Sequence, residues 1–96
     1  MNQGRSSVVR VNLLFFAKSR ELVGTSTCPN FALATSGGSL SGSGILDSIC
    51  EQFPALMVLR NNVIIAHNEE YCENLGALID LEDGDEIAVI PPIAGG

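Results

Sequence analysis

The residues with the clearest capacity for chemistry stand at the end of the chain, where Gly95 and Gly96 are the last two. Glycine has no Cβ atom, so two consecutive glycines fit a channel too narrow for any other residue and leave the terminal carboxylate unhindered. A free carboxylate is a poor acyl donor, and a site that uses it must first activate it, most simply as an acyl-adenylate. The alternative interpretation is a frayed terminus, because disorder concentrates at chain ends.

The residues before the two glycines favour an arm that leaves the folded domain. Pro91 and Pro92 are stiff and extended, and they end the preceding strand because proline cannot continue an interior ladder. The segment 91–96 spans about 20 Å at full extension. The sequence therefore predicts a flexible tail over residues 91–96 that can place a carboxylate in another protein's active site.

Other polar side chains show no catalytic arrangement. His67 is the only histidine, and nothing in the sequence places the nearby Glu69 and Glu70 around a cleft. A structural or solvated role is therefore favoured over general acid–base catalysis. The acidic segment 82–86 lacks the pattern of a calcium loop. We interpret it as a solvated turn that also supplies negative charge for a partner.

The cysteines indicate neither a disulfide framework nor a metal centre. The number of cysteines is odd, and no C-x-x-C motif occurs among Cys28, Cys50 and Cys72. The sequence therefore indicates neither disulfide cross-links nor a zinc site. Cys50 lies beside an apolar helical stripe, which favours burial over reactivity. We expect no metal, and reduced thiols in an intracellular, cytosolic compartment.

Charge and hydropathy restrict the kinds of partner. Five basic and eleven acidic side chains give a net charge of -6, which disfavours nucleic acid and anionic membranes and favours a basic protein partner. No apolar run approaches the roughly 20 residues of a membrane span. The apolar stretch 11–17 is followed by Lys18 and Arg20 rather than small residues, so we interpret it as a strand and not as a leader.

The elements that must position the tail follow from apolar patterning. Strands are predicted at 8–16, 25–34, 62–66 and 86–90, helices at 17–23 and 45–53, a flexible Gly/Ser loop at 36–44, a short extended or helical piece at 77–81 and a turn at 82–85. Pro29 requires an edge or a bulge, and Ser41 or Ser43 caps the longer helix. One main helix with several strands predicts a single α+β domain over 1–96, with a disordered N-terminus over 1–7.

Three segments together resemble the family of small, sulfur-carrying subunits of molybdopterin synthase. They are FFAKSRELVG at 15–24, DGDEIAVI at 83–90 and PPIAGG at 91–96, and LRNNVIIAHNEEY at 59–71 is similar to the eukaryotic members. The resemblance extends from about Val8 to Gly96. The end of the chain is the most specific part of the resemblance, because a strand, the prolines that end the strand and the glycine tail follow one another in that order.

The resemblance implies a ubiquitin-like β-grasp fold, a mixed sheet packed on one main helix. It also implies that a ubiquitin-activating-like enzyme uses ATP to adenylate Gly96 and that sulfur then replaces the adenylate, giving a thiocarboxylate. The tail inserts into the large subunit of the synthase, which binds the pterin precursor, and sulfur passes to cyclic pyranopterin monophosphate. The resemblance further implies that two small and two large subunits form a heterotetramer, in which the small subunit binds no cofactor and is not catalytic alone.

The same resemblance assigns roles to individual residues. Gly96 bears the sulfur and Gly95 permits threading. Residues expected to contact the partner lie in the tail, at its root and in the first matching segment: Pro91, Pro92, Ile93, Ala94, Ile90, Tyr71, Phe16 and Arg20. Core packing is the alternative for Phe16 and Ile90, and a surface ion pair is the alternative for Arg20.

Two other functions are compatible with the same tail. One is sulfur carriage for thiamine synthesis or transfer-RNA thiolation, or conjugation to protein lysines. The other is a binding module without chemistry. The PPIAGG ending and segment 61–71 favour the pterin pathway.

Overall fold

The computed structural model describes residues 6–91, and residues 1–5 and 92–96 lie outside the described part. Within residues 6–91 the strands are β1 (Ser6–Phe15), β2 (Thr27–Ser36), β3 (Ser39–Ser41), β4 (Ile64–His67), β5 (Glu70–Cys72), β6 (Leu78–Asp80) and β7 (Glu86–Ile90). The helices of this part are α1 (Ala17–Val23), α2 (Gly42–Gln52) and a 3₁₀ helix (Pro54–Leu59). None of them is long and apolar enough to cross a membrane.

The described strands form one mixed sheet in the order β5-β4-β7-β1-β2-β3-β6. The last strand, β7, lies inside the sheet and not at its edge. It runs parallel to β1, with Leu14 opposite Ala88, and antiparallel to β4, with Ile64 opposite Ile90. Val89, the residue before the last one of β7, is therefore held between Phe15 of β1 and Ile65 of β4.

Alternation along β1 separates the two faces of the sheet. Val11, Leu13 and Phe15 are almost completely buried on the face that packs against α2, whereas Leu14 and Phe16 point to the opposite face. The predicted apolar stripe of α2 packs on the inner face: Ile45, Leu46 and Ile49 are at most 1% exposed. This arrangement confirms the α+β class, with one main helix across the sheet.

The segment 36–44, which we predicted to be a flexible loop, is instead ordered structure. Its middle forms β3, which pairs with β6, and α2 already begins at Gly42. Ser41 caps the helix, since its Oγ accepts a hydrogen bond from the Gly44 N–H at 3.0 Å. A Cβ at Gly42 would lie only 3.2 Å from Leu75 Cα. Small residues are needed here for close packing and capping, not for flexibility.

The prediction that Pro29 lies at an edge or a bulge is confirmed, because the structure has a bulge there. The register changes from Val11 opposite Phe31 to Leu13 opposite Cys28, so β2 carries one extra residue at this point. A bulge places the proline where the ladder is already interrupted.

The N-terminal boundary differs from the prediction. Ser6 and Ser7 belong to β1 and pair with Ser36 and Thr35 of β2, so the disordered segment predicted over 1–7 is wrong for these two residues. Residues 1–5 lie outside the described part.

Candidate partner-binding face and tail root

A depression of about 450 Å³ opens on the sheet face opposite α2. We call it the outer-face depression. It is lined by Leu14, Phe16, Ala66, Glu69, Tyr71, Glu86, Ala88 and Ile90. The depression exists because small side chains form its floor: Ala66 and Ala88 are paired in register and each is 5% exposed.

Three of the predicted partner-contact residues meet at this depression. Ile90 ends β7, Tyr71 stands opposite Ala66 across the β4–β5 pair, and Phe16 directly follows β1. Phe16 is 46% and Tyr71 66% exposed, so core packing does not account for Phe16. Exposed aromatic side chains around an apolar floor are typical of protein-binding surfaces. The partner contact itself stays a prediction.

The root of the tail is fixed by hydrogen bonds to the end of β7. The Val89 carbonyl accepts from the Phe16 N–H and from the Ser19 hydroxyl, each at 3.2 Å, and Ser19 is fully buried. Pro91 is buried as well. The predicted tail therefore does not begin at Pro91, and Phe16 is held beside the point where the chain leaves the sheet.

The remaining predicted tail residues lie outside the described part of the chain. They are Pro92, Ile93, Ala94, Gly95 and Gly96.

Arg20 is not brought to the depression. It lies in the last turn of α1, and its side chain is exposed. Within residues 6–91 it forms no salt bridge, so the ion pair considered as an alternative is also not found there.

His67 is the last residue of β4 and lies beside the start of β7, which is the end of that strand away from the tail root. Its side chain pairs with Asp85. Its Nε2 is 2.8 Å from Asp85 Oδ2, and the Glu82 N–H donates to the same oxygen at 3.0 Å. Burial alone would raise the pKa of Asp85, but the hydrogen bonds from His67, Glu82 and Asn68 outweigh it and hold that pKa below its ordinary value. The structural interpretation of His67 fits this geometry.

Acid is expected to remove the contribution of Asp85 to stability. Because its pKa is lower in the folded state, the contribution is present at neutral pH and is lost as pH falls below about 4, through the folded pKa. Asp85→Asn should therefore lower the free energy of unfolding by about 1 kcal/mol at neutral pH, with the gap to wild type closing in acid. Urea unfolding across pH measures this, with Glu51→Gln on the exposed side of α2 as the control. A constant gap would contradict the assignment.

The buried thiol of Cys50 offers no reactive centre. Cys50 is 5% exposed, and burial raises the pKa of its thiol, which makes the thiolate scarce at neutral pH. Cys28 and Cys72 are half-buried and free. Across residues 6–91, no group of three or more His, Cys, Asp or Glu side chains is placed to hold a metal ion.

The floor and one end of the depression were not predicted from the sequence. Ala66 and Ala88 come together only through the β4–β7 register, and Glu69 and Glu86 join them at its rim. The one signal in the sequence was the apolar run at 13–16. Both faces of β1 are apolar there, and no helix among residues 6–91 covers the outer one.

A family model places the chain among known proteins, because the ThiS family model matches residues 13–96. The chain belongs to the ThiS family. This ThiS family chain is 71% identical to a molybdopterin synthase sulfur carrier subunit of Aedes aegypti, with all of both chains covered. It is 52% identical to the sulfur carrier subunit of Anopheles gambiae, over 92% of this chain and 93% of that protein.

Solved structures confirm the ubiquitin-like β-grasp fold of this ThiS family chain. SAMP1 from Haloferax volcanii matches with a TM-score of 0.68 and 23% identity, over 94% of this chain and all of the other. A chain from the Helicobacter pylori complex of subunits 1 and 2 of molybdopterin-converting factor matches with a TM-score of 0.56 and 22% identity, with the same coverage. These likenesses establish the fold.

Proposed function

We propose that this chain is the sulfur carrier subunit of a molybdopterin synthase and that it carries sulfur as a thiocarboxylate on Gly96. The observation that supports it most directly is the position of Ile90, which ends β7 and also lines the outer-face depression. A partner seated in the depression therefore meets the chain where it continues toward Gly96. The 71% identity to the Aedes aegypti subunit supports the same function.

The proposed cycle begins with activation of the Gly96 carboxylate. A ubiquitin-activating-like enzyme uses ATP to form the acyl-adenylate and releases pyrophosphate. Sulfide-level sulfur from a donor then attacks the acyl carbon of Gly96, and AMP leaves as the thiocarboxylate forms. Its sulfur is a better nucleophile than a carboxylate oxygen, so no cysteine of this chain is needed, in agreement with the buried Cys50.

The large subunit completes the proposed reaction. It binds cyclic pyranopterin monophosphate, and the thiocarboxylate sulfur attacks a carbon of the precursor, where a C–S bond forms and the oxygen bound there is displaced. Hydrolysis of the acyl–sulfur bond then returns Gly96 to a carboxylate. The net charge of -6 on the carrier agrees with this reaction, because the cations that bind the phosphate of the precursor belong to the large subunit.

We propose that carrier and large subunit work in the cytosol as a heterotetramer, with the carrier inactive alone.

Mass spectrometry of the intact chain tests the proposal. Incubation with its activating enzyme, ATP and a sulfur donor is expected to replace one terminal oxygen by sulfur. A reaction without ATP is the control and should leave the mass unchanged. An unmodified carboxylate after the complete reaction would overturn the proposal.

A further inference from the structure

One buried hydroxyl ties the start of α1 to the end of β7. Ser19 is fully buried, and its Oγ shares one proton between the Phe16 carbonyl at 2.6 Å and the Val89 carbonyl at 3.2 Å. The same Oγ accepts a hydrogen bond from the Phe16 N–H at 3.1 Å. Ser19 therefore joins the residue whose ring lines the outer-face depression to the strand that continues toward Gly96.

The position of the Phe16 ring depends on the backbone that carries it. The residue is 46% exposed, so its ring gains less from packing than a buried ring does. The next residue, Ala17, has φ 53°, a left-handed conformation that residues other than glycine rarely adopt. The bonds from Phe16 to Ser19 and Val89 hold this strained link in place, and they thereby fix where the ring stands.

The fold itself does not require the hydroxyl. Without it, the Phe16 carbonyl still accepts from the Ser19 N–H at 3.1 Å, and the Val89 carbonyl still accepts from the Phe16 N–H at 3.2 Å. No backbone group loses its last partner, so removal of the hydroxyl should loosen Phe16 without unfolding the domain.

We propose that Ser19 is a positioning residue for the large subunit, because its hydroxyl holds Phe16 beside the tail root as one preformed surface. The inference rests on the proposed function, which supplies the partner. Ser19 is not among the residues that line the depression, so it acts through Phe16. An exposed side chain that is already in place avoids the cost of being ordered when the partner binds.

A double-mutant cycle with purified large subunit tests the inference on the full-length chain. Ser19→Ala should weaken binding about threefold to tenfold, which is the cost of ordering one side chain. In the Phe16→Ala background the same change should weaken binding by less than about twofold, because no ring is left to position. An equal loss in both backgrounds would show that Ser19 has a structural role only, and it would overturn the inference.

Thr35 provides the matched control. It is also buried, and its hydroxyl donates to the Ser7 carbonyl at 3.0 Å and accepts from the Gly38 N–H at 3.1 Å. Its partner Ser7 lies near the other end of β1, roughly 30 Å along the strand from Phe16. Thr35→Val should leave affinity unchanged, although it and Ser19→Ala should each lower the unfolding midpoint by up to about 8 °C.

Amide hydrogen exchange in the free chain gives a second measurement that needs no partner. Ser19→Ala should speed exchange of the Phe16 amide about tenfold, because that N–H loses one of its two acceptors and opens more often. The Phe15 amide, which donates to the Ser26 carbonyl at 2.9 Å, should exchange as in wild type. Unchanged protection of the Phe16 amide would overturn the inference.

The outcomes separate this inference from the proposed function. If the wild-type chain binds and Ser19→Ala binds equally well, the inference is overturned and the proposed function stands. If the wild-type chain fails to bind the large subunit, the proposed function fails and the inference fails with it.

Discussion

Deleting Gly95 and Gly96 is expected to abolish sulfur transfer while the domain stays folded. The two glycines carry the proposed reactive carboxylate, so no thiocarboxylate can be presented to the large subunit without them. The buried hydrophobic core is built from residues between Val9 and Val89, so thermal unfolding of the truncated chain should resemble wild type. The measurements are molybdopterin formation by the reconstituted pair of subunits and the unfolding midpoint of the free chain.

Binding separates the roles of tail and domain in this deletion. The outer-face depression is formed by residues up to Ile90, so affinity for the large subunit should fall much less than activity. Cofactor synthesis that survived the deletion would show that the glycines have no chemical role. Loss of folding would show instead that the tail is part of the domain.

Two adjacent phenylalanines are expected to give opposite results when each is replaced by alanine. Phe15 is 1% exposed and packs edge-on against Phe53, with ring centroids 5.3 Å apart. Phe15→Ala should therefore cost about 3 to 5 kcal/mol of stability, as expected for a buried aromatic side chain. Phe16 faces the outer depression, so Phe16→Ala should change stability by less than about 1 kcal/mol.

The affinity for the large subunit is expected to show the reverse of the stability changes. Phe16→Ala should weaken binding to the large subunit by roughly 30-fold or more, as for an aromatic anchor at an interface centre. Chemical denaturation and calorimetric titration of the two variants measure the two effects, and each variant is the other's control. Substantial destabilisation by Phe16→Ala with unchanged affinity would return Phe16 to the core-packing alternative.

The elements that could be predicted from the sequence are those whose ends are determined by a residue at the end itself or next to it in the chain. Helix α1 ends where Gly24 adopts a left-handed conformation with φ 94°, and Asp83-Gly84 forms the turn before β7, with φ 93° at the glycine. Both positions need glycine for backbone reasons visible in the sequence. The bulge at Pro29 was predictable for the same kind of reason, because proline lacks the N–H that a ladder uses.

Contacts distant in sequence explain what was not predicted. The segment 36–44 resembles a linker in composition, yet β3 forms because β6, about forty residues later, supplies its partner strand. The 3₁₀ helix at Pro54–Leu59 has no periodic pattern to announce it. At the site, the resemblance supplied Phe16, Tyr71 and Ile90, whereas Ala88 and Glu69 enter only through strand register and a turn.

The interior position of β7 has a mechanical consequence for a pull on the chain that follows it. This strand is bonded along one side to β1 and along the other to β4. A pull on the chain beyond Ile90 acts lengthwise along β7 and loads the hydrogen bonds of both ladders in shear. A strand at the edge of the sheet would resist the same pull with one ladder only. The domain is thus a firm anchor that can resist a pull on the chain beyond Ile90 without unravelling.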